Sequence, residues 1–350
     1  MKELSKYKMG EFRNKLLSAV AMAIVVAVTP GAIISPFITG LAKHSAFWET
    51  ILNASNLSMY IVPVAAGVLA AGEFGFNRIE KASVALASLV GSGAVAFDKG
   101  SWVLVGMGDL INTILVIAVA IVAVFLTRDF VGSFSIIIEP ILCGTIVGSL
   151  GLWSYTYVHM ISTGVGSVLN AITKLQPILM CTLIAMAFAV IIATPLSTVG
   201  LAYAIGISGI AGGAASVGVT SCFMIVAIAT FKANGKGVSL AMFWGGVKMM
   251  LANFVEHPRM FIPIAIVGAI TGFIDSFLNI QNGSAEAGFG QPVGPIDSFQ
   301  YMSGNTGTNI LILLLIYYIL PILISLVVYW IIRKFPKLYN SNDWKVDIDK

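Results

Sequence analysis

The sequence predicts an all-α polytopic membrane protein, and three observations carry that prediction. Of its 350 residues only 10% are charged, while 58% are hydrophobic; soluble domains carry about 25% charged residues. The apolar residues fall into successive runs near the ~20 residues that a helix needs to cross hydrocarbon. Positive charge collects at both ends of the hydrophobic region: Lys2, Lys6, Lys8, Arg13 and Lys15 precede it, and Arg333, Lys334 and Lys337 follow it. Basic flanks mark the inner side of a membrane, so the N- and C-termini are expected to be cytoplasmic and the crossings even in number.

The elements follow in order. Residues 1–15 form a basic amphipathic cytoplasmic segment suited to an anionic leaflet. The first apolar run, roughly 16–41, is too long for a cleavable signal core and reads as a retained helix. Further runs at roughly 56–74, 79–97, 105–127, 134–152, 176–194, 198–230, 238–255, 259–281 and 309–334 make about ten transmembrane helices. Residues 16–152 would form an N-terminal bundle. Residues 153–174 would be an amphipathic interfacial connector, with Trp153, Tyr155 and Tyr157 suited to the membrane boundary. Residues 175–334 would form a second membrane domain, and 335–350 a short disordered cytoplasmic tail. Cys143, Cys181 and Cys222 lie inside apolar runs without a CxxC pair, as packing residues do.

Three stretches depart from plain spans. Residues 195–221, PLSTVGLAYAIGISGIAGGAASVGVTS, are almost all small. They fit either close helix packing or a discontinuous helix whose freed backbone faces a cavity. Residues 282–309 are rich in glycine and carry Asn282, Glu286, Gln291, Asp297, Gln300, Asn305 and Asn309. Connections this long are either exposed loops or functional elements, and here a re-entrant or gating element is one of the two readings. Asn253–Met260, NFVEHPRM, crowds Glu256, His257 and Arg259 around Pro258. Pro258 disfavours helix at His257, so these side chains project either from a charged turn or into a site. A carboxylate accepts hydrogen bonds from sugar hydroxyls, and an imidazole both donates and accepts. Arg259 would orient Glu256 or attract an anionic substrate.

The sequence holds no GxxxxGK[ST] loop, HExxH or GxSxG. That excludes the familiar nucleotide-driven pumps and hydrolases; no cofactor, metal, catalytic residue or nucleic-acid partner is expected.

The stretches QPILMCTLIAMAFAVIIATPLST, GISGIAGGAASVGV and VEHPRMFIPIAIVGAITGFI resemble the membrane-embedded enzyme IIC components of bacterial phosphotransferase-system sugar permeases. The resemblance extends to the short stand-alone group that includes putative toxin (perfringolysin) regulators, and it runs over most of 10–335. It implies a homodimer in the bacterial cell membrane, assembled through the N-terminal bundle. It also implies a C-terminal transport domain with re-entrant hairpins that binds a sugar or polyol near mid-membrane and moves it inward by alternating access. Separate cytosolic IIA and IIB phosphocarriers would be the partners. In these permeases an acid–proline motif near the second hairpin supplies a sugar-binding glutamate, which falls on Glu256 with Pro258 as the proline; here His257 intervenes. Substrate-binding candidates are thus Glu256, His257 and Arg259, then Asn282, Glu286 and Gln291. Two other functions fit the same residues. One is a membrane sensor or regulator on a permease scaffold. The other is a proton-coupled or passive transporter of another small solute, with Glu256, Asp275 or His257 as the proton site.

Overall fold

A computed structural model describes residues 6–42, 44–284, 286–335 and 339–346. These are almost entirely helical, and six helical stretches among them are long and apolar enough to cross a membrane: 46–73, 110–131, 135–172, 209–243, 258–278 and 306–332. The fold is all-α and polytopic. The chain divides into two compact units, Met1–Ile161 and Ser162–Lys350.

The first unit holds α1 (Met9–Ala42), α2 (Ala46–Leu57), α3 (Val62–Glu73), α4 (Arg78–Gly91), strands β1 (Val95–Asp98) and β2 (Ser101–Leu104), α5 (Leu110–Val131) and α6 (Ser135–Pro140), and it includes the start of α7 (Gly148–Ile172). The apolar run at 79–97 ends early as helix. Asn77 caps α4 in a capping box with Glu80, and Lys99 and Gly100, both at positive φ, turn 95–104 into an antiparallel hairpin. The basic residue Arg128 reaches back to buried Glu80, with Nε and the terminal nitrogen each 2.6 Å from an oxygen, and stacks on Phe76. Residues 141–147 widen to a π-helix just after Pro140, so 135–172 runs without interruption. The stretch expected as an interfacial connector is therefore helix continuous with the preceding run.

The second unit is organised around α10 (Gly209–Phe243), which is buried almost without a break from Ala211 to Thr230. α8 (Pro177–Ile192) and α12 (Phe261–Leu278) pack on it and on each other through small residues. A Cβ at Gly218 would collide with the Ala185 carbonyl, and one at Gly272 with Ala185 and Cys181. α9 (Thr198–Ile205), α11 (Leu251–Glu256), α13 (Val293–Tyr301), α14 (Thr306–Leu314) and α15 (Leu320–Ile332) complete it.

Two breaks in this unit decide where chemistry can occur. Gly235, at φ 78° and ψ −169°, reverses the chain inside α10. The Ser239 hydroxyl then donates to the Ala227 carbonyl twelve residues earlier, and Gly245 comes to rest on Phe223. Residues 236–256 are thus a hairpin folded against α10, where the sequence predicts a span at 238–255. The second break is the loop 279–292 between α12 and α13, opened by Asn279 in the left-handed conformation.

Candidate functional site

The loop 279–292 has no regular structure of its own, so its backbone groups must find partners elsewhere. It finds them on α10. Gly209 and Asn282 exchange both backbone hydrogen bonds, at 2.9 and 3.2 Å. The Ile280 carbonyl lies so close to Gly213 that any Cβ there would strike it, and Gly212 is equally crowded by Asn282. Further on, Ser216 donates to the Phe289 carbonyl at 2.6 Å, and Gly290 sits over Thr220 and Phe223. The run of small residues on α10 is what lets a bare backbone lie against it.

At Gly290 this loop meets the hairpin. Gln291 donates through Nε2 to the carbonyl of Phe243 at the hairpin's tip, and Gly245 of the same tip packs on Phe223. Lys248, three residues on and buried, donates to the carbonyls of Thr194 (2.6 Å) and Leu196 (3.0 Å), in the turn between α8 and α9. Three breaks in helical structure therefore converge around one turn of α10, Thr220–Phe223. Among the described residues, two oxygens of this hub are buried with no hydrogen-bond partner: Thr220 Oγ1 and Gln291 Oε1. A buried polar atom costs roughly 1–3 kcal/mol when left unpaired. Two on adjoining elements beside a glycine form a place for hydroxyl hydrogens.

Above the hub the loop is tied by a polar network. Asn282 Nδ2 donates to Gly294 O and Asp297 Oδ2, while its Oδ1 accepts from Ser298 (2.8 Å) and Tyr317 (3.0 Å). Asp297 also accepts from the Gly283 amide at 2.7 Å. Glu286 and Tyr301 close around Gly283. Partial burial and, secondarily, Asp297 push the Glu286 carboxyl above its ordinary range. Asp275 on α12 is wholly buried, with the Ile280 amide, Cys181 and Tyr317 facing it.

NFVEHPRM lies elsewhere in the same unit. His257, at φ −126° and ψ 70°, breaks the backbone between α11 and the turn at Pro258, as a residue before proline does. Arg259 Nε donates to Asp343 Oδ2 at 3.1 Å, and His257 Nε2 lies 3.6 Å from Asp343 Oδ1. Asn253 donates to the carbonyls of Asp343 and Lys345, and Asn234, on α10 just before the reversal at Gly235, donates to that of Trp344 and accepts from the Val346 amide. Trp344 is fully buried and Tyr339 reaches the Ala229 carbonyl. The predicted disordered tail is, over 339–346, a strap across the base of the hairpin.

Of the six candidates, Asn282, Glu286 and Gln291 thus share one loop, with Gln291 at the hub, while His257 and Arg259 engage the tail; Glu256 is exposed beside them. Sequence reasoning did not single out Thr220, Ser216, Ser298 or Tyr317. The available signal was the small-residue stretch 195–221, whose few hydroxyls had to face something other than lipid.

Comparison with curated proteins finds no match, and comparison with solved structures finds none either. Residues 14–346 match the family described as Phosphotransferase system, EIIC. The match takes in both units, the hub and the strap, and the helical membrane architecture is the one expected of such a permease. The chain belongs to the EIIC family of phosphotransferase-system membrane permeases.

Proposed function

We propose that this chain binds a sugar or related polar solute at the hub and moves it inward across the bacterial plasma membrane by alternating access. The observation that carries the reading is the pair of buried, unpartnered oxygens, Thr220 Oγ1 and Gln291 Oε1, where the tips of the hairpin and the loop meet. In this reading both broken segments are re-entrant, and the tips separate and close around the solute. Asn282 and Glu286 hold the loop in shape and line its approach. Glu256, His257 and Arg259, first candidates by sequence, serve the hairpin's base instead, because His257 and Arg259 are engaged by Asp343.

The rest of the assembly follows family membership and charge placement. Separate IIB and IIA proteins phosphorylate the incoming sugar, the first unit joins two copies into a homodimer, and the basic flanks keep both termini cytoplasmic. The protein itself performs no covalent step.

Reconstitution into liposomes tests this directly. Uptake of a labelled sugar should require a phosphorylated IIB protein inside and should fall at least tenfold in Gln291→Ala and Thr220→Val; Thr220→Val, which removes no hydrogen bond, should keep the wild-type melting temperature. Uptake driven by a proton gradient alone would replace this reading with the ion-coupled one. Binding without uptake would replace it with the sensor.

A further inference from the structure

We infer that the solute taken at the hub carries a negative charge that pairs with Lys248, so that the substrate class is an acidic sugar or polyol; this rests on the hub reading above. Lys248 stands at the tip of the hairpin and is 9% exposed. Its ammonium donates to two carbonyls, Thr194 O and Leu196 O. An ammonium has three N–H groups, so one donor is left over, and burial without a counter-ion opposes the charged form, which an anion at this place would restore. Among the described residues no carboxylate forms an ion pair with it; the titratable group facing it is the Cys222 thiol, which supplies no counter-charge.

The buried acids of this unit lie elsewhere. Asp297 is held by Asn282 and Gly283, Asp343 by Arg259 and His257, and Asp275 faces Cys181 and Tyr317. A buried ionisable residue in a membrane protein marks a functional site whose partner must be named, and here the described residues provide none. Lys248 lies three residues beyond Gly245, which packs on Phe223; Phe223 also lies under Gly290. The turn Thr220–Phe223 of α10 thus carries one orphaned oxygen, lies against Gly290 next to the residue that holds the other, and presents Cys222 to Lys248. A ligand offering hydroxyls to Thr220 and Gln291 and a carboxylate or phosphate to Lys248 would satisfy all three. The competing account is a structural one: Lys248 caps the carbonyls that follow α8, as cations do at helix C-termini. It predicts no preference between charged and neutral solutes.

The test is equilibrium binding to the purified full chain in detergent micelles, with glucose, gluconate, glucuronate and glucose 6-phosphate as probes. We expect at least one acid to bind roughly tenfold or more tightly than glucose, a preference that fades with added salt. Truncating one partner of a buried charge pair costs ~2–5 kcal/mol, so Lys248→Met should weaken the acid by about 30-fold or more. Glucose binding should move by less than about threefold, since its hydroxyls use uncharged partners. Lys248→Arg should retain the preference. Should Lys248→Met fail to fold, the wild-type preference decides. Glucose binding as tightly as every acid overturns the inference, and so does an absence of binding by any acid. Loss of Gln291 dependence for every probe would instead overturn the hub reading.

Discussion

Two regions of the second unit invite comparison, because they present opposite faces to a reader of sequence. NFVEHPRM concentrates an acid, an imidazole and a guanidinium in four positions of a chain with 10% charged residues. The loop 279–292, with the α10 stretch it lies on, offers amides, hydroxyls and glycines. The charged cluster turns out to hold the chain's own tail: Asp343 satisfies Arg259 and His257 from within. The quiet region leaves two acceptor oxygens over, Thr220 Oγ1 and Gln291 Oε1, while the strap leaves the donor Trp344 Nε1. Charge is expensive to bury, so a folded protein tends to neutralise it internally. Hydroxyls and side-chain amides are cheap enough to be left waiting for a ligand.

Experiments can break this contrast, beginning with the largest effect. Gly213→Val should prevent the second unit from folding, because its side chain would occupy the space of the Ile280 carbonyl; loss of the monodisperse peak in size-exclusion chromatography would show it. A folded Gly213→Val protein with normal uptake would mean that the loop does not lie on α10. Trp344→Ala should be next. Removing a fully buried tryptophan costs ~3–5 kcal/mol, visible as a lower melting temperature in micelles with sugar affinity unchanged in what remains folded. If the tail is a strap and nothing more, affinity stays; if it falls, NFVEHPRM belongs to the site after all.

Arg259→Gln sharpens the same point on a smaller scale. A partly exposed ion pair contributes ~1 kcal/mol or less, so thermal stability should drop slightly while uptake is retained. The smallest effect is at Glu286. Its carboxyl has a raised folded pKa, so ionising it opposes folding. That opposition is present above the folded value and is relieved as pH falls through it toward the unfolded value near ~4.3. Relative to Glu286→Gln, the wild-type melting temperature should therefore rise between neutral pH and about pH 5. A flat difference would mean that Asp297 and burial do not act on Glu286.

Much of the membrane architecture was legible along the chain, because hydrocarbon imposes a length and a composition on each segment. The runs at 110–131, 258–278 and 306–332 sit within a few residues of where apolarity placed them. The hairpin at 236–256 was not legible as a hairpin. Its two short legs and tip have the same mean composition as one span, and the reversal depends on a single glycine, Gly235, among 35 in the chain. Nor could spacing tell that Asp343 returns to Arg259 across 84 positions. That contact makes packed structure of 339–346, inside a tail expected to be disordered.

The sequence by itself determined the solvent this chain lives in, its helical class, its family, and two stretches, 195–221 and 282–309, that depart from plain spans. Each follows from local quantities: hydropathy, residue size, and the backbone freedom of glycine and proline. Only the tertiary structure decided which polar groups are satisfied by the protein and which are not. Whether an atom has a partner depends on residues tens of positions away, as Phe243 is from Gln291. In a low-dielectric interior that difference is what separates a structural residue from one that awaits a ligand.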